Sequence, residues 1–313
     1  MGAKGMSASK LVGIGAVMTI GLVACACGSS SATATPKAGT IAVVAAENQY
    51  GNVASQIGGR YVTVSSVESN PNTDPHSYEV SPGVAGEVAS AQLVIENGAG
   101  YDDFMTKIES ASPSPGRRTI NVQQLRGLPD DTPNPHLWYD PKTMPAVAEA
   151  LATDMSAIDP AHASTFRANA KAFITSLNPW LDAIASFKAR YRGATAATTE
   201  PVADYLLTAM GIDNLTPFQF QADIMNGTEP SPQDITLENG FFTKHQVKVF
   251  CYNQQVVDAL TTSIRTTAQR TGVPVVGVYE TMPTPGYDYQ RWMLAEVNAI
   301  ENAVAHGIST EHL

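Results

Sequence analysis

The stretch at residues 161–191 restricts the fold most, because it holds no glycine and a single proline, Pro179. Within it Phe166, Ala170, Phe173, Leu177, Leu181 and Ile184 follow one another at steps of three and four, which draws one apolar stripe along a helix. A helix of this length runs about 45 Å at ~1.5 Å per residue, the height of a whole domain. It reads as a stiff backbone joining two larger bodies. Pro179 has no backbone N–H and is expected to kink it; the alternative is two shorter helices broken at that point.

The chain on either side repeats one pattern. Short runs rich in Val, Ile or Thr at 40–45, 61–67, 93–96 and 119–122 alternate with plausible helices and loops. After Gly193, strands are predicted at 195–199, 247–252 and 273–278, and helices at 202–210, 231–244, 256–271 and 287–306. Such alternation implies parallel sheets with helices on both faces. The expected class is α/β, with two βα lobes built on parallel sheets, joined by one long backbone helix, and a cleft between them. The expected boundaries are an N-terminal lobe at 40–160, the linking helix at 161–191 and a C-terminal lobe at 192–313.

Ahead of the lobes the chain reads as an export signal. Lys4 and Lys10 give a positive flank, 11–23 is an apolar run too short to span a bilayer comfortably, and small residues surround Cys25. The sequence Leu22-Val23-Ala24-Cys25 has the form of a lipobox, in which cleavage before the cysteine leaves its sulfur to carry a diacylglycerol. The expectation is a lipoprotein signal peptide at 1–24, acylation of Cys25 and a flexible tether at 25–39. Cys27 is a second candidate, but the residue three before it is Ala24 rather than leucine. The competing reading is an ordinary secretory signal with incidental cysteines.

Cys25, Cys27 and Cys251 are the only cysteines, so a disulfide framework is absent. Cys251 stands in a strand-like run and reads as a buried apolar side chain. The formal charge is -10, and loss of Lys4 and Lys10 takes it to -12. An acidic body argues against nucleic-acid binding and against a polybasic membrane surface. The roughly 275 residues after the tether suffice for two lobes with a core each.

Of the six histidines, two share a setting: Asp74-Pro75-His76 and Asn134-Pro135-His136 both stand in Pro-rich loops beyond a strand. Proline stiffens the approach to each imidazole and lowers the entropy lost when a ligand is fixed. A single loop histidine is usually just solvated; a pair with the same local chemistry points toward ligation. Glu200 directly follows one predicted strand and Glu280 another, and in open α/β sheets ligands bind outside the carboxyl ends of strands. Two histidines from the first lobe and two glutamates from the second would converge on one cleft and neutralise a divalent ion. The alternative for each glutamate is an ordinary charge at a helix N-terminus.

Other residues read as structural. Asp140 before Pro141 has the look of an N-cap, and Trp138 and Tyr139 are expected to pack around the His136 loop and keep water out. His162, His245, His306 and His312 are expected at the surface. Gly98-x-Gly100 lacks the rest of a dinucleotide fingerprint and fits a tight strand-to-helix turn.

Four stretches together resemble the zinc and manganese ABC-transporter solute-binding family. They are Asp74-Pro75-His76-Ser77-Tyr78-Glu79, Leu93-Val94-Ile95-Glu96-Asn97-Gly98-Ala99-Gly100-Tyr101, Asn134-Pro135-His136-Leu137-Trp138-Tyr139-Asp140-Pro141 and Thr199-Glu200-Pro201-Val202-Ala203-Asp204-Tyr205-Leu206. The resemblance covers the chain from Thr40 to its C-terminus. It implies a two-lobed receptor with a long connecting helix that binds one metal ion in the cleft between its lobes. In that family the two loop histidines are metal ligands, which carries over to His76 and His136; the third ligand, histidine in zinc-type receptors and often glutamate in manganese-type ones, falls on Glu200, and the fourth on Glu280.

The acidic, histidine-rich loop of many zinc receptors is missing, since 126–133 contains no histidine. With Glu200 this favours manganese or iron(II) over zinc, because carboxylate-rich sites suit harder ions, although zinc also accepts such a set. The resemblance further implies a monomer held by its lipid at the outer face of the cell membrane, working with a permease and an ATPase. The chain has no Gly-x-x-x-x-Gly-Lys-Ser/Thr loop of its own. A secreted zinc-dependent hydrolase would need His-Glu-x-x-His or Gly-x-Ser-x-Gly, and neither occurs. A surface adhesin with a structural metal is the other alternative.

Overall fold

The computed structural model describes residues 39–72, Pro75, 80–283 and 285–313. The expected signal peptide, the tether up to residue 38, the acylation site Cys25 and the loop histidine His76 lie outside the described residues.

The first lobe runs β1 (Ile41–Glu47), α1 (Asn48–Gly58), β2 (Val62–Glu68), α2 (Pro82–Ser90), β3 (Leu93–Glu96), α3 (Asp103–Ala111), β4 (Arg118–Asn121), α4 (Val122–Leu125) and α5 (Thr143–Ile158). Its strands are parallel, in the order β2-β1-β3-β4, with Val43 opposite both Val64 and Leu93. β1 and β3 are buried on both faces, as central strands of a parallel sheet covered by helices must be. Their Val, Ile, Leu and Ala side chains meet α1 and α5 on one side, while Val44, Val94 and Met105 form a smaller cluster on the other.

The second lobe repeats the arrangement with β5 (Thr195–Thr198), α8 (Asp204–Met210), β6 (Asp213–Asn214), α9 (Phe218–Met225), α10 (Pro232–Thr243), β7 (Val249–Asn253), α11 (Ala259–Arg270), β8 (Val275–Val278) and α12 (Tyr289–His306). Strand order is β6-β5-β7-β8, again parallel. Both sheets therefore reverse winding direction at the same place, between their first and third strands, and such a reversal opens a crevice at the carboxyl ends. The C-terminal segment lies along β8: Thr310 bridges Val276, and the Gly277 amide donates to the Thr310 carbonyl at 2.9 Å. A side chain at Gly277 would collide with the Glu311 carbonyl, so only glycine admits this approach.

Between the lobes the helical segment is two pieces, α6 (Ala163–Ser176) and α7 (Asn178–Tyr191), meeting at Leu177. Leu177 keeps helical angles, and the missing amide of Pro179 falls in the first turn of α7, where helix donors are unpaired in any case. Phe166, Ala170, Phe173, Leu177, Trp180, Ile184 and Phe187 are buried along one side. That stripe packs α6 on α1 and α5, and α7 on α12. One apolar core thus runs from the first sheet through the linking helices to the inner face of the second sheet. Cys251 lies within it, buried and unpaired with another cysteine, and burial pushes its thiol far up. Among the described residues no helix is long and apolar enough to cross a membrane.

Candidate metal centre

His136 is buried where the first lobe meets the second, on the loop that ends in the turn Leu137–Tyr139. Asn134 fixes its ring. The Asn134 amide nitrogen donates to the Pro201 carbonyl at 2.8 Å, so the Asn134 carbonyl oxygen faces the imidazole. That oxygen accepts the His136 backbone amide at 3.0 Å and lies 2.8 Å from Nδ1. Nδ1 therefore carries the proton, and Nε2 is the basic nitrogen. Nε2 points at Glu280 Oε2, 3.3 Å away. A lone pair set against a carboxylate oxygen in a water-excluded place needs a shared proton or a shared cation.

Glu280 follows β8 and is fully buried. Its backbone amide donates to Gln255 Oε1 at 2.7 Å, and its carbonyl accepts Gln49 Nε2 from the first lobe at 3.3 Å. Oε2 also accepts the Tyr101 hydroxyl at 2.9 Å, and Oε1 accepts Asn253 Nδ2 at 2.7 Å. Burial, then the charge of Glu280, hold the Tyr101 phenol well above its ordinary range, so it remains a donor. Tyr101 reaches the site because Gly98, Ala99 and Gly100 turn in succession through positive φ, at 76°, 54° and 75°. At Gly98 a side chain would press on Asn121 and Gln123, so this turn uses glycine for space as well as for angle.

Glu200 follows β5 and is 2% exposed. Its Oε1 accepts the same Asn253 Nδ2, at 3.1 Å. Asn253, the last residue of β7, thus joins the carboxylates carried by the strands on either side of it. Among the described residues no three His, Cys, Asp or Glu side chains stand together as a ready coordination shell. His136 and Glu280 face each other directly, Glu200 is tied to Glu280 through Asn253, and His76 lies outside the described residues.

Aromatic rings close the site from several sides. Trp138 lies 5.4 Å from the His136 ring and 5.2 Å from Tyr101, centroid to centroid. The Tyr139 hydroxyl donates across the lobes to the Tyr279 carbonyl at 2.9 Å. Asn97, after β3, holds the Pro135 carbonyl at 2.8 Å and so braces the His136 loop against the first sheet. Outside Tyr101 an open cavity of about 720 Å³ separates it from Met225, Glu229, Val256 and Asp258. Tyr101 lines that cavity with part of its surface and donates to Glu280 from its buried end.

Several readings from sequence change in detail. Asp140 does not cap α5: its carboxylate accepts the Lys142 amide at 3.0 Å and pairs with Arg126 at 2.9 Å, three residues before the helix starts at Thr143. His245, His306 and His312 are exposed, whereas His162 is half-buried, stacked on Tyr61 and paired with Asp159 at 2.6 Å. Asn253, Asn134 and Tyr101 are functional neighbours that composition and spacing did not single out. Asn253 had a signal, since it directly follows a predicted strand of the same sheet as those before Glu200 and Glu280.

Comparison with known proteins identifies the family and the fold. The family model described as ZnuA, zinc-uptake complex component A, periplasmic, matches residues 43–303. The manganese-binding lipoprotein MntA of Halalkalibacterium halodurans is 25% identical over 210 residues, 64% of this chain and 67% of that one. The iron ABC transporter substrate-binding lipoprotein MtsA of Streptococcus pyogenes is 25% identical over 234 residues, 69% of this chain and 71% of its own. The chain thus spans about two thirds of the length of these relatives. The periplasmic zinc binding protein TroA from Treponema pallidum superposes with a TM-score of 0.71 at 18% identity, over 86% of this chain and 100% of that one, a likeness of fold. With residues 43–303 matched, the chain belongs to the ZnuA family of metal-binding solute-binding proteins.

Proposed function

We propose that this chain is the extracytoplasmic solute-binding lipoprotein of a metal-uptake ABC transporter, which captures one divalent transition-metal ion and delivers it to a membrane permease. It is a binding component and not an enzyme. The observation that carries the reading is the buried pair at the junction of the lobes, with the proton of His136 committed to Asn134 and its basic Nε2 turned onto Glu280 Oε2 at 3.3 Å. His76, His136, Glu200 and Glu280 are the proposed ligands. Two neutral imidazoles and two carboxylates balance a divalent charge, and an ion held by four or more protein donors in a buried place suits a carrier rather than a catalyst.

Manganese or iron(II) is the proposed cargo, with zinc as its competitor. Oxygen donors suit the harder ions, and the named cargoes of MntA and MtsA support the same choice. The division of the body into lobes at 40–160 and 192–313 about a linking segment at 161–191 belongs to this proposal, as does acylation of Cys25, which would hold a monomeric receptor at the outer face of the membrane. Loaded receptor would dock on the permease, whose partner ATPase drives release.

Metal analysis after exhaustive dialysis tests the site. Wild-type protein is expected to keep one ion per chain, and His76→Ala and His136→Ala to keep none while their far-ultraviolet circular dichroism stays unchanged. A tightly held stoichiometric ion in either variant would overturn the ligand assignment.

A further inference from the structure

We infer that Asn253 sets the metal preference of the site by limiting how many carboxylate oxygens the ion can collect, an inference that rests on the receptor reading above. The orientation of its amide is not free. Asn253 Oδ1 accepts the Gln255 backbone amide at 3.0 Å, so Nδ2 must face the carboxylates, while the Asn253 backbone amide donates to Thr199 Oγ1 at 3.0 Å and holds the residue in place. The side chain is completely buried, and its two hydrogens face the two carboxylates. One goes to Glu200 Oε1 at 3.1 Å and the other to Glu280 Oε1 at 2.7 Å.

An amide nitrogen directs its two N–H bonds about 120° apart, so acceptors at these distances stand about 5 Å from each other. Two oxygens on one small cation, each bonded at about 2.0–2.2 Å, can be no more than about 4.4 Å apart. While Asn253 holds both, Glu200 Oε1 and Glu280 Oε1 cannot bind the same ion. At most one glutamate can then chelate through both oxygens. With two imidazoles the shell stops at five donors and is satisfied by four.

Zinc accepts four donors in a tetrahedron, whereas manganese favours six, mostly oxygen. Asn253 therefore works against the preference that two carboxylates would otherwise give. It keeps zinc competitive in a site whose donor types suit manganese, and it does so through geometry, since it adds no charge and is not itself placed to ligate.

The experiment compares wild type with Asn253→Ala, which donates to neither carboxylate, and Asn253→Ser, whose single hydroxyl proton can hold at most one. Manganese and zinc affinities are measured by competition dialysis, and Co²⁺ is used as a spectroscopic probe of donor number. Wild type should bind one Co²⁺ with the intense visible bands of low coordination. In Asn253→Ala those bands should collapse toward the weak absorption of six-coordinate Co²⁺, and the ratio of manganese to zinc affinity should rise about tenfold or more. Asn253→Ser should fall between the two. Equal loss of affinity for both metals with unchanged Co²⁺ bands would make Asn253 a purely structural residue and overturn the inference. Loss of all Co²⁺ binding in both variants would overturn it too, because the residue would then be required for the site and not a setting of its preference. Wild-type protein that takes up no Co²⁺ at all would sink the receptor reading itself, and this inference with it.

Discussion

Glu296 on α12 lies fully buried against the underside of the site, accepting Trp292 Nε1 at 3.0 Å and meeting the Tyr139 hydroxyl at 3.2 Å. Burial raises its carboxyl from 4.5 to about 8, partly offset by those two hydrogen bonds. Between these values the folded protein keeps the proton that the unfolded chain has lost. Unfolding therefore releases a proton, and stability falls as pH climbs from about 4.5 to about 8, at up to ~1.4 kcal/mol per pH unit from this group. Glu296→Gln keeps the acceptor and removes the ionisation. Its melting temperature in calorimetry should exceed that of wild type at pH 8, with the difference fading toward pH 4.5. A constant difference across that range would contradict the assignment.

At this scale the sequence exposed the charged members of the site and hid the neutral ones. Glu200 and Glu280 are recognisable because each carboxylate stands just past the carboxyl end of a predicted strand, where open α/β sheets bind ligands. Asn134 and Tyr101 are ordinary loop residues until the fold shows Asn134 spanning to Pro201 and Tyr101 reaching Glu280.

Among the elements, α1 has an unexpected role, because it belongs to the first lobe yet fastens the loop of the second that carries Glu280. The Asn48 side chain accepts the Met282 amide and donates to the Met282 carbonyl, both at 2.9 Å. Asn52 Oδ1 accepts the Tyr289 amide at 3.1 Å, and Gln56 and Gln290 exchange amide hydrogen bonds at 3.0 and 2.7 Å. Glu280 is thereby positioned by both lobes. Asn48→Ala leaves a buried amide and carbonyl unpaired, at a cost of about 2–4 kcal/mol. Chemical denaturation should show that loss, and metal affinity should drop several-fold as the Glu280 loop gains freedom. Full stability with unchanged affinity would remove α1 from the site's support.

Element boundaries follow local physics with uneven legibility. β3 (Leu93–Glu96) is readable in full, because the apolar run Leu93-Val94-Ile95 just before the Gly98 turn has few other uses. β6 is two residues, Asp213–Asn214, and carries no apolar pattern; its pairing with β5 is set by the sheet rather than by its own composition. α9 likewise went unread, its eight residues too few for a periodic stripe to stand out. In the linking segment the proline marked the break correctly to within two residues, at Leu177.

Seen as a whole, the molecule is two sheets of identical strand order sharing one core through α6, α7 and α12. A shared core resists wide opening, since separating the lobes would expose Trp180, Tyr289 and Trp292 together. Metal capture is then expected to move loops and side chains, Tyr101 foremost, with little rotation of the lobes. The paired α/β architecture was legible from the alternation of strands and helices on either side of the glycine-free segment. The lock between the lobes was not, because it is made of amide side chains such as Asn48 and Asn134, whose partners lie 234 and 67 residues away.

X-ray data from metal-loaded crystals, collected at the absorption edge of the bound metal, test the central claim most directly. One anomalous peak per chain is expected at about 2.0–2.3 Å from both His136 Nε2 and a carboxylate oxygen of Glu280. A stoichiometric peak elsewhere on the protein, or a fully loaded crystal with no peak between those two groups, would contradict it.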